Sequence, residues 1–228
     1  MSPDFVLLDG AIWNALSTRH AAFAEGDELA KRYLPEVTLL AAVRDFSAEA
    51  LASLARVILP GEIAALFLET VPAFPAELTL VRQVSLTQMI WTAPVEVREN
   101  VSIETLGLVN VDEMLALIEL TKPGPFGKRT PELGTYLGIR DGGRLVSMAG
   151  ERLQLPGFTE VSAVCTHPDY RGRGYARMLI SSLVRRIQQR GEVPFLHAAS
   201  ENTGAIRVYE GLGFTTRSLS TVVVVGKD

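Results

Sequence analysis

The chain has 228 residues, of which 47% are hydrophobic, and a formal net charge of −4, so it can bury a sizeable core in one large domain or two modest ones. Its single cysteine, Cys165, excludes an intramolecular disulfide framework, and its three histidines show no metal-ligand spacing, so we expect no metal site. No stretch approaches the roughly 18 apolar residues of a membrane span, and the N-terminus lacks a signal pattern, so we expect a soluble, cytoplasmic protein with no membrane partner.

The first third of the chain has the patterns of a small α/β unit. Apolar residues between Trp13 and Phe23 indicate a helix, and residues 37–43 indicate a strand. Ser47 can cap a second helix, and residues 63–68 are typical of a buried strand. The segment that follows is punctuated by three prolines, Pro72, Pro75 and Pro94.

We therefore predict two domains. Residues 1–95 form a small α/β unit, and residues 96–228 form the second, larger domain. We interpret residues 88–91 as a core segment near the junction of the two domains. The alternative interpretation is that they contact the substrate directly.

The segment over residues 160–176 is the most informative part of the chain. An apolar strand, a Pro-Asp turn, a loop of arginines and glycines, and an amphipathic helix follow one another. This order places backbone N–H groups at a helix N-terminus, where the helix dipole favours bound phosphate. Gly172 and Gly174 let an anion approach the backbone, and Arg171 and Arg173 add charge-assisted hydrogen bonds. The segment predicts a phosphate or pyrophosphate site.

Two other glycine-loop signatures fit this segment poorly. A Walker-type loop ends in a Lys-Ser/Thr pair, whereas Tyr175 and Ala176 stand at that place. A dinucleotide fingerprint needs a third glycine, and Arg177 stands there instead.

The charge distribution favours a small ligand over a nucleic acid. Residues 1–99 carry 7 basic and 13 acidic side chains, whereas residues 171–190 hold six arginines and no acid. We interpret Arg185, Arg186 and Arg190 as a solvated helix face. An acidic protein with one basic loop lacks the broad basic footprint that a nucleic-acid backbone requires, so we expect no nucleic-acid partner.

Three elements follow the loop. Apolar residues at helical spacing predict a helix over 174–190 that stops at Gly191. Residues 194–199 form a short apolar strand. Asn202 can cap a final helix that ends at Gly213.

Two separated motifs in this region carry a family resemblance. The loop reads Arg-x-x-Gly-x-Ala over residues 171–176, and the last helix reads Asn-x-x-Ala-x-x-x-Tyr followed by Gly-Phe over residues 202–214. They resemble the coenzyme A pyrophosphate loop and the fourth-helix signature of the GNAT N-acetyltransferase superfamily. The resemblance covers about residues 98–226. The N-terminal part is similar to the degenerate first half of two-part members, as in the glycine N-acyltransferase arrangement.

The resemblance implies an α/β fold with a mixed, mostly antiparallel central sheet flanked by helices, beside the smaller N-terminal unit. Residues 111–120 carry helical periodicity, and residues 141–143, Asp-Gly-Gly, are a strong hairpin-turn signal. By analogy with the family we expect strands at residues 101–106, 134–140, 144–152 and 159–166, with two closing strands at 214–218 and 219–226.

The resemblance also implies acetyl-CoA as cosubstrate, held by the loop and by the main chain of the strand before it. The strand ending at Thr166 and its neighbour are expected to splay into a wedge, with a main-chain N–H near Val164 facing the thioester carbonyl. The side chain of Cys165 is interpreted as packing rather than as a nucleophile. The expected cofactor-binding residues are Val164, Cys165, Thr166, Arg171, Gly172, Arg173, Gly174, Tyr175, Ala176 and Asn202.

Two residues are candidates for proton transfer. Tyr209 matches the tyrosine of the family's fourth helix and would donate a proton to the leaving thiolate, because a phenol with a pKa of about 10 is protonated at neutral pH. Glu160 stands eleven residues before Arg171, an offset similar to that of the catalytic glutamate in histone-type members, and would be the base with a raised pKa if buried. The alternatives are a packed tyrosine, a solvated strand-end glutamate, and His197 as the base.

The predicted activity is transfer of an acetyl group from acetyl-CoA to an amine of a small molecule, amino acid or peptide by direct attack. A monomer or a homodimer would carry it out. The alternatives are a non-catalytic acyl-CoA-binding sensor or scaffold and, more remotely, a nucleotide-binding regulator. In the family the acceptor is set by loops that correspond here to residues 121–133 and 218–225, together with any contribution of the N-terminal unit.

Overall fold

The computed structural model describes residues 4–93 and 101–228 of the chain. The N-terminal elements are α1 (Ala11–Leu16), β1 (Ala24–Gly26), β2 (Ala30–Tyr33), β3 (Ala41–Val43), α2 (Ala48–Val57), β4 (Ile63–Leu68) and β5 (Thr79–Trp91). The later elements are β6 (Glu104–Leu106), α3 (Val111–Thr121), β7 (Tyr136–Asp141), β8 (Arg144–Leu155), β9 (Phe158–Thr166), α4 (Tyr175–Gln189), β10 (Val193–Ala199), α5 (Thr203–Glu210) and β11 (Phe214–Gly226).

These strands form a small sheet and a large one. β1, β2 and β3 make the small antiparallel sheet, and the large sheet has the order β4-β11-β5-β10-β9-β8-β7-β6. Within the described residues, neighbours in the large sheet are antiparallel except β9 and β10, which run parallel. The prediction of a mixed, mostly antiparallel sheet is confirmed.

The N-terminal part of the chain contributes two strands to the large sheet. β4 pairs with the end of β11, and β5 lies between β11 and β10. Strands from both predicted units therefore share one sheet. The boundary predicted between residues 95 and 96, like Pro94, lies outside the described residues, so the division into two domains stays a prediction.

Helices cover both faces of the large sheet. α4 and α5 pack on one face, where Leu196 and Ala198 of β10 join their apolar cluster. α1 packs on the opposite face with Phe195 of β10 and Phe158 of β9. α3 packs on that second face too, because Met148 of β8, which contacts it, alternates with Ala149 on the α4 side.

The predicted start and stop signals account for the best-defined elements. The Ser47 Oγ accepts a hydrogen bond from the Ala50 N–H and caps α2. α4 begins at Gly174 and is followed by Gly191, and both glycines have positive φ. Its apolar stripe is fully buried, which explains why the helical periodicity predicted it so closely.

Two strand regions are organised differently from the prediction. The strand expected over 37–43 keeps only β3, because a turn follows Pro35 and the Val37 N–H donates to the Leu34 carbonyl. The two closing strands form the single strand β11. Its register against β5 shifts between Thr216 and Ser218, so the expected break is a bulge at Arg217.

Two helices end earlier than predicted. α1 stops at Leu16, and the Ser17 N–H bonds to the Trp13 and Ala15 carbonyls as the chain leaves the helix. α5 stops at Glu210, after which the Leu212 N–H donates to the Tyr209 carbonyl in a tighter turn.

A glycine in β8 allows the sheet to pack around a buried tyrosine. A Cβ on Gly150 would lie 2.2 Å from the ring of Tyr136, which is fully buried. We expect Gly150→Ala to lower the free energy of unfolding by about 1–3 kcal/mol through overpacking, measured by chemical denaturation. Gly107→Ala, whose Cβ would meet nothing within 4 Å, is the control and should change stability little. Equal stability of the two variants would contradict the overpacking argument.

Candidate active site

The loop before α4 is exposed and depends on glycine. It leaves a single turn over Pro168–Tyr170 and reaches α4 through Arg171, Gly172, Arg173 and Gly174, all of them exposed. Gly172 and Gly174 have φ values of +77° and +79°, which L side chains rarely adopt. Open space surrounds both, so an anion could approach the backbone there.

The start of α4 lacks a side-chain cap. Gly174 occupies the cap position, and the first intrahelical bond runs from the Met178 N–H to the Gly174 carbonyl. The first-turn N–H groups, including those of Tyr175 and Ala176, have no intrahelical acceptor. The Arg173 guanidinium lies 4.6 Å from the ring centroid of Tyr170, which holds its charge beside the loop. These donors and cations fit a phosphate or diphosphate group.

A gap opens in the sheet next to this loop. β9 and β10 pair over three residues, Phe158–Glu160 with Val193–Phe195. Beyond that point β9 stays paired with β8, and β10 stays paired with β5. Among the described residues, 161–166 and 196–199 therefore diverge from each other. We call this gap the wedge.

A bulge shapes the β9 side of the wedge. Ala163 has a φ of +51°, and one residue of β8, Ala149, opposes two residues of β9, Ala163 and Val164. Backbone strain of this kind tends to persist at functional sites. Strict alternation would place Val164 on the same face as Glu160, but the extra residue turns it into the α4 cluster beside Val161.

The end of β9 is tied to β8 by side-chain hydrogen bonds. The Ser147 Oγ donates to the Cys165 carbonyl and bonds to the Thr166 Oγ1, both at 2.8 Å. Burial raises the pKa of the Cys165 thiol to about 11, so it stays protonated at neutral pH. This agrees with the interpretation of the thiol as packing rather than as a nucleophile.

Glu160 is not the raised-pKa base that the sequence suggested. Its side chain is fully buried at the vertex of the wedge, and both carboxylate oxygens accept from the Arg152 guanidinium, at 2.7 and 2.8 Å. Burial alone would raise its pKa, but the Arg152 charge and the hydrogen bonds from Arg152 and His197 lower it to about 2. A carboxylate that holds its proton so weakly is a poor proton acceptor at neutral pH. The expectation of a raised pKa at Glu160 is therefore wrong.

His197 is oriented by this carboxylate. Its Nδ1 lies 2.8 Å from a Glu160 oxygen, and its Nε2 lies 3.1 Å from the Gln88 amide nitrogen. The Gln88 amide oxygen accepts from Arg217 at 2.8 Å, which assigns the amide nitrogen to the histidine side. The hydrogen-bond pattern therefore places a proton on Nδ1, facing Glu160, and makes Nε2 the acceptor of the Gln88 N–H.

Tyr209 and Asn202 lie on α5, on the α4 side of the sheet. The Tyr209 ring packs 6.1 Å from that of Phe214, and burial raises its pKa to about 12. Its hydroxyl makes no hydrogen bond to the residues that the structure describes. Asn202 caps α5, because its Oδ1 accepts from the Ala205 N–H at 3.1 Å.

Sequence reasoning missed Arg152 and underrated Gln88. Arg152 ends the strand predicted over 144–152, where a buried cation in an apolar strand requires a buried anion. That requirement is a signal that the sequence contains, but the contact between Arg152 and Glu160 is visible only in the fold. The sequence places Gln88 in a core segment. Its contact with His197 runs between two paired strands, β5 and β10, that are far apart in the sequence.

Two kinds of feature are absent from the described residues. No helix in residues 4–93 or 101–228 is long and apolar enough to cross a membrane. Within the same residues, no group of three or more histidine, cysteine or acidic side chains could hold a metal ion.

Comparisons with known sequences identify relatives of the C-terminal part. A profile of the family described as FR47-like protein matches residues 136–224. The N-alpha-acetyltransferase RimI of Mycobacterium tuberculosis is 39% identical over 82 residues, which are 35% of this chain and 51% of that protein. A mycothiol acetyltransferase of Mycobacterium leprae is 37% identical over 78 residues, 32% of this chain and 25% of that protein. The matches thus span about half of the first relative and a quarter of the second.

One solved structure is similar along the whole chain. It is a protein of Novosphingobium aromaticivorans assigned to the GNAT family of acetyltransferases. The two are 37% identical, the match covers 97% of this chain and 98% of that one, and the TM-score is 0.91.

The buried Glu160–Arg152 pair gives a prediction for stability and its pH dependence. Glu160→Gln leaves a buried cation without its counter-charge and should cost about 3 kcal/mol or more of unfolding free energy at pH 7. The folded-state pKa lies below the usual 4.5, so the pair stabilises fully above that pH and progressively less as pH falls toward about 2. Denaturation curves measured between pH 7 and pH 2 should show that the difference in unfolding free energy between wild type and variant narrows as the pH falls from 4.5 toward about 2. A constant gap would contradict the ion-pair interpretation.

Proposed function

The chain belongs to the GNAT family of acetyltransferases, and from this premise we propose that it transfers an acetyl group from acetyl-CoA to a primary amine. GNAT acetyltransferases use acetyl-CoA as cosubstrate. The observation that carries the proposal is the parting of β9 and β10 directly beside a glycine- and arginine-rich start of α4. The start of α4 supplies an anion site, and the gap between β9 and β10 beside it supplies an opening through the sheet.

The α4 loop is proposed to hold the diphosphate of the coenzyme. The main-chain N–H groups that open α4, at Tyr175 and Ala176, point toward the exposed loop, and Gly172 and Gly174 leave room for the anion. Arg171 and Arg173 supply positive charge on the same loop.

The wedge is proposed to take the pantetheine arm and the thioester. Residues 162–164 of β9 are half-exposed there, and the bulge at Ala163 turns the local main chain away from β8. A main-chain N–H near Val164 is the proposed donor to the thioester carbonyl, where negative charge develops during attack. Asn202, at the start of α5, is proposed to assist as a polar group on the coenzyme side.

Tyr209 is the proposed proton donor. It lies on the α4 side of the sheet in the same apolar cluster as Val161 and Leu196, which border the wedge. Its raised pKa keeps the phenol protonated at neutral pH. As the C–S bond breaks and its electron pair moves to sulfur, the Tyr209 proton would pass to that sulfur.

His197 is the proposed acceptor of the amine's proton. It lies on the opposite face of the sheet from Tyr209, since it alternates along β10 with Leu196 and Ala198 of the α4 cluster. When the amine nitrogen bonds to the carbonyl carbon, it would release a proton to Nε2. The Gln88 amide can give up its hydrogen bond to Nε2, because it also donates to the Leu8 carbonyl. Glu160 then acts as a positioning residue, not as the base.

The relatives leave the acceptor open. One is named as an N-alpha-acetyltransferase and the other as a mycothiol acetyltransferase, so similar sequences accompany different acceptors. A primary amine of a small molecule or peptide is the proposal that both names support.

The diphosphate assignment predicts a selective loss of coenzyme binding. We expect Arg171→Ala to weaken acetyl-CoA affinity by about tenfold or more, because a charge-assisted hydrogen bond contributes roughly 1.5–3 kcal/mol. Isothermal titration calorimetry measures the acetyl-CoA dissociation constants of wild type and variant. Arg186→Ala, an exposed arginine near the other end of α4, is the matched control and should bind normally. Equal affinity of the two variants would remove the assignment of the loop.

The proton-donor assignment predicts a loss of turnover without a loss of binding. We expect Tyr209→Phe to lower kcat by roughly 100-fold, within the range for general acids, and to leave the acetyl-CoA dissociation constant unchanged. Release of free coenzyme A with an accepted amine gives the rate. Tyr170→Phe also removes a phenol but keeps the ring beside Arg173, and it should retain turnover. Full activity of Tyr209→Phe would make Tyr209 a packing residue.

A further inference from the structure

A cavity of about 220 Å³ lies between the N-terminal part of the chain and the large sheet. It is on the face that α1 covers, and Gln88 and His197 lie among its lining residues. Its walls come mainly from residues 8–13, 41–46 and 66–69, with Ser218 and Ser220 of β11 on the sheet side. Residues 121–133, which the family resemblance favoured for acceptor binding, do not line it.

The cavity adjoins the wedge. His197 stands two residues after Phe195, the last residue of β10 that pairs with β9. It therefore occupies the point where the gap in the sheet begins. The Nε2 of its imidazole points toward Gln88, which also lines the cavity. A group bound in this cavity would lie next to the proposed proton acceptor.

The charges around the cavity leave one carboxylate unpaired. The Asp45 carboxylate pairs with Arg44 at 3.0 Å, and Asp9 pairs with Arg217 at 2.5 Å. Glu69 lines the cavity too and has no ion-pair partner among the described residues. The lining thus offers a negative charge to an incoming cation and no unpaired positive charge to an anion.

The remaining walls are apolar and aromatic. Leu8 and Ile12 are buried against the cavity, and the Phe67 ring lies 4.6 Å from that of His197. Phe46 also lines the cavity, and 53% of it is exposed. These side chains suit an apolar body, and the volume is below the roughly 300–1,000 Å³ of pockets for drug-sized ligands.

Building on the proposed acetyl transfer, we propose that this cavity binds the acceptor, and that the acceptor is a small primary amine on an aromatic or aliphatic body. The ammonium group is drawn to Glu69, and the neutral amine reaches His197 at the wedge. A carboxylate next to the amine nitrogen would face the Glu69 carboxylate, which is unpaired among the described residues, so free α-amino acids are poor acceptors. The N-terminal part of the chain thereby sets the substrate class.

Binding can be measured without the coenzyme. Phenethylamine titrated into the protein should change tryptophan fluorescence, because Trp13 lines the cavity, whereas Trp91 is buried in the α4 cluster. The change should disappear in Trp13→Phe. Phenylalanine, the same ring with an added carboxylate, should bind at least about tenfold more weakly, because placing like charges side by side costs more than the roughly 1.4 kcal/mol that tenfold represents. Absence of a fluorescence change, or tighter binding of phenylalanine, overturns the proposal.

Two substitutions test the lining itself. Glu69→Gln should weaken phenethylamine binding by about threefold, the scale of a partly exposed ion pair, and Glu77→Gln, an exposed glutamate outside the cavity, should not. Phe46→Ala should weaken it by about fivefold through lost apolar contact, and Leu59→Ala, which is equally exposed at 53%, should not. Equal effects of test and control variants contradict the proposal.

Coenzyme A release separates this proposal from the proposed function. Two results together support both proposals. Coenzyme A is released with small amines, and Glu69→Gln and Phe46→Ala raise the KM for the amine while leaving the KM for acetyl-CoA unchanged. Release with unchanged amine KM values in these variants overturns the cavity assignment alone. No release over an amine panel, although acetyl-CoA binds, overturns the acceptor assignment together with the proposed function.

Discussion

The buried pairing of Arg152 with Glu160 is the interaction on which the site depends. It lies at the last residues where β9 and β10 remain hydrogen-bonded, and His197 completes it from β10. A buried charge without its partner is strongly unfavourable, so the three side chains hold β8, β9 and β10 together at this level of the sheet. Because the strands are fixed here, their separation beyond Glu160 is a stable opening.

The opening divides the chemistry between two faces of one sheet. Tyr209 and the α4 loop lie on one side, and His197 with the cavity lies on the other. The sheet thus separates the Tyr209 phenol, whose pKa burial raises, from the His197 Nε2, which accepts from the Gln88 amide. In the proposed reaction Tyr209 serves the leaving sulfur from one face, and His197 serves the attacking nitrogen from the other.

Local patterns in the sequence predicted much of this molecule. Ser47, Gly174 and Gly191 mark helix ends through backbone chemistry that acts within a few residues, and the apolar stripe of α4 needs no distant partner. Properties set by long-range contacts could not be predicted in this way. The lowered pKa of Glu160 depends first on Arg152 of the neighbouring strand β8 and then on His197, 37 residues away. The positive φ of Ala163 accompanies a register shift against β8.

The placement of β5 constrains how such a protein can change over time. This strand comes before the region of the family match, yet it separates β11 from β10 in the large sheet. Losing the first third of the chain by gene rearrangement would strip hydrogen-bond partners from both neighbours and expose two strand edges at once. Under the proposed acceptor assignment, new specificities would arise through substitutions around residues 8–13 and 41–46, whereas exchange of the whole segment would have to bring a replacement strand with it.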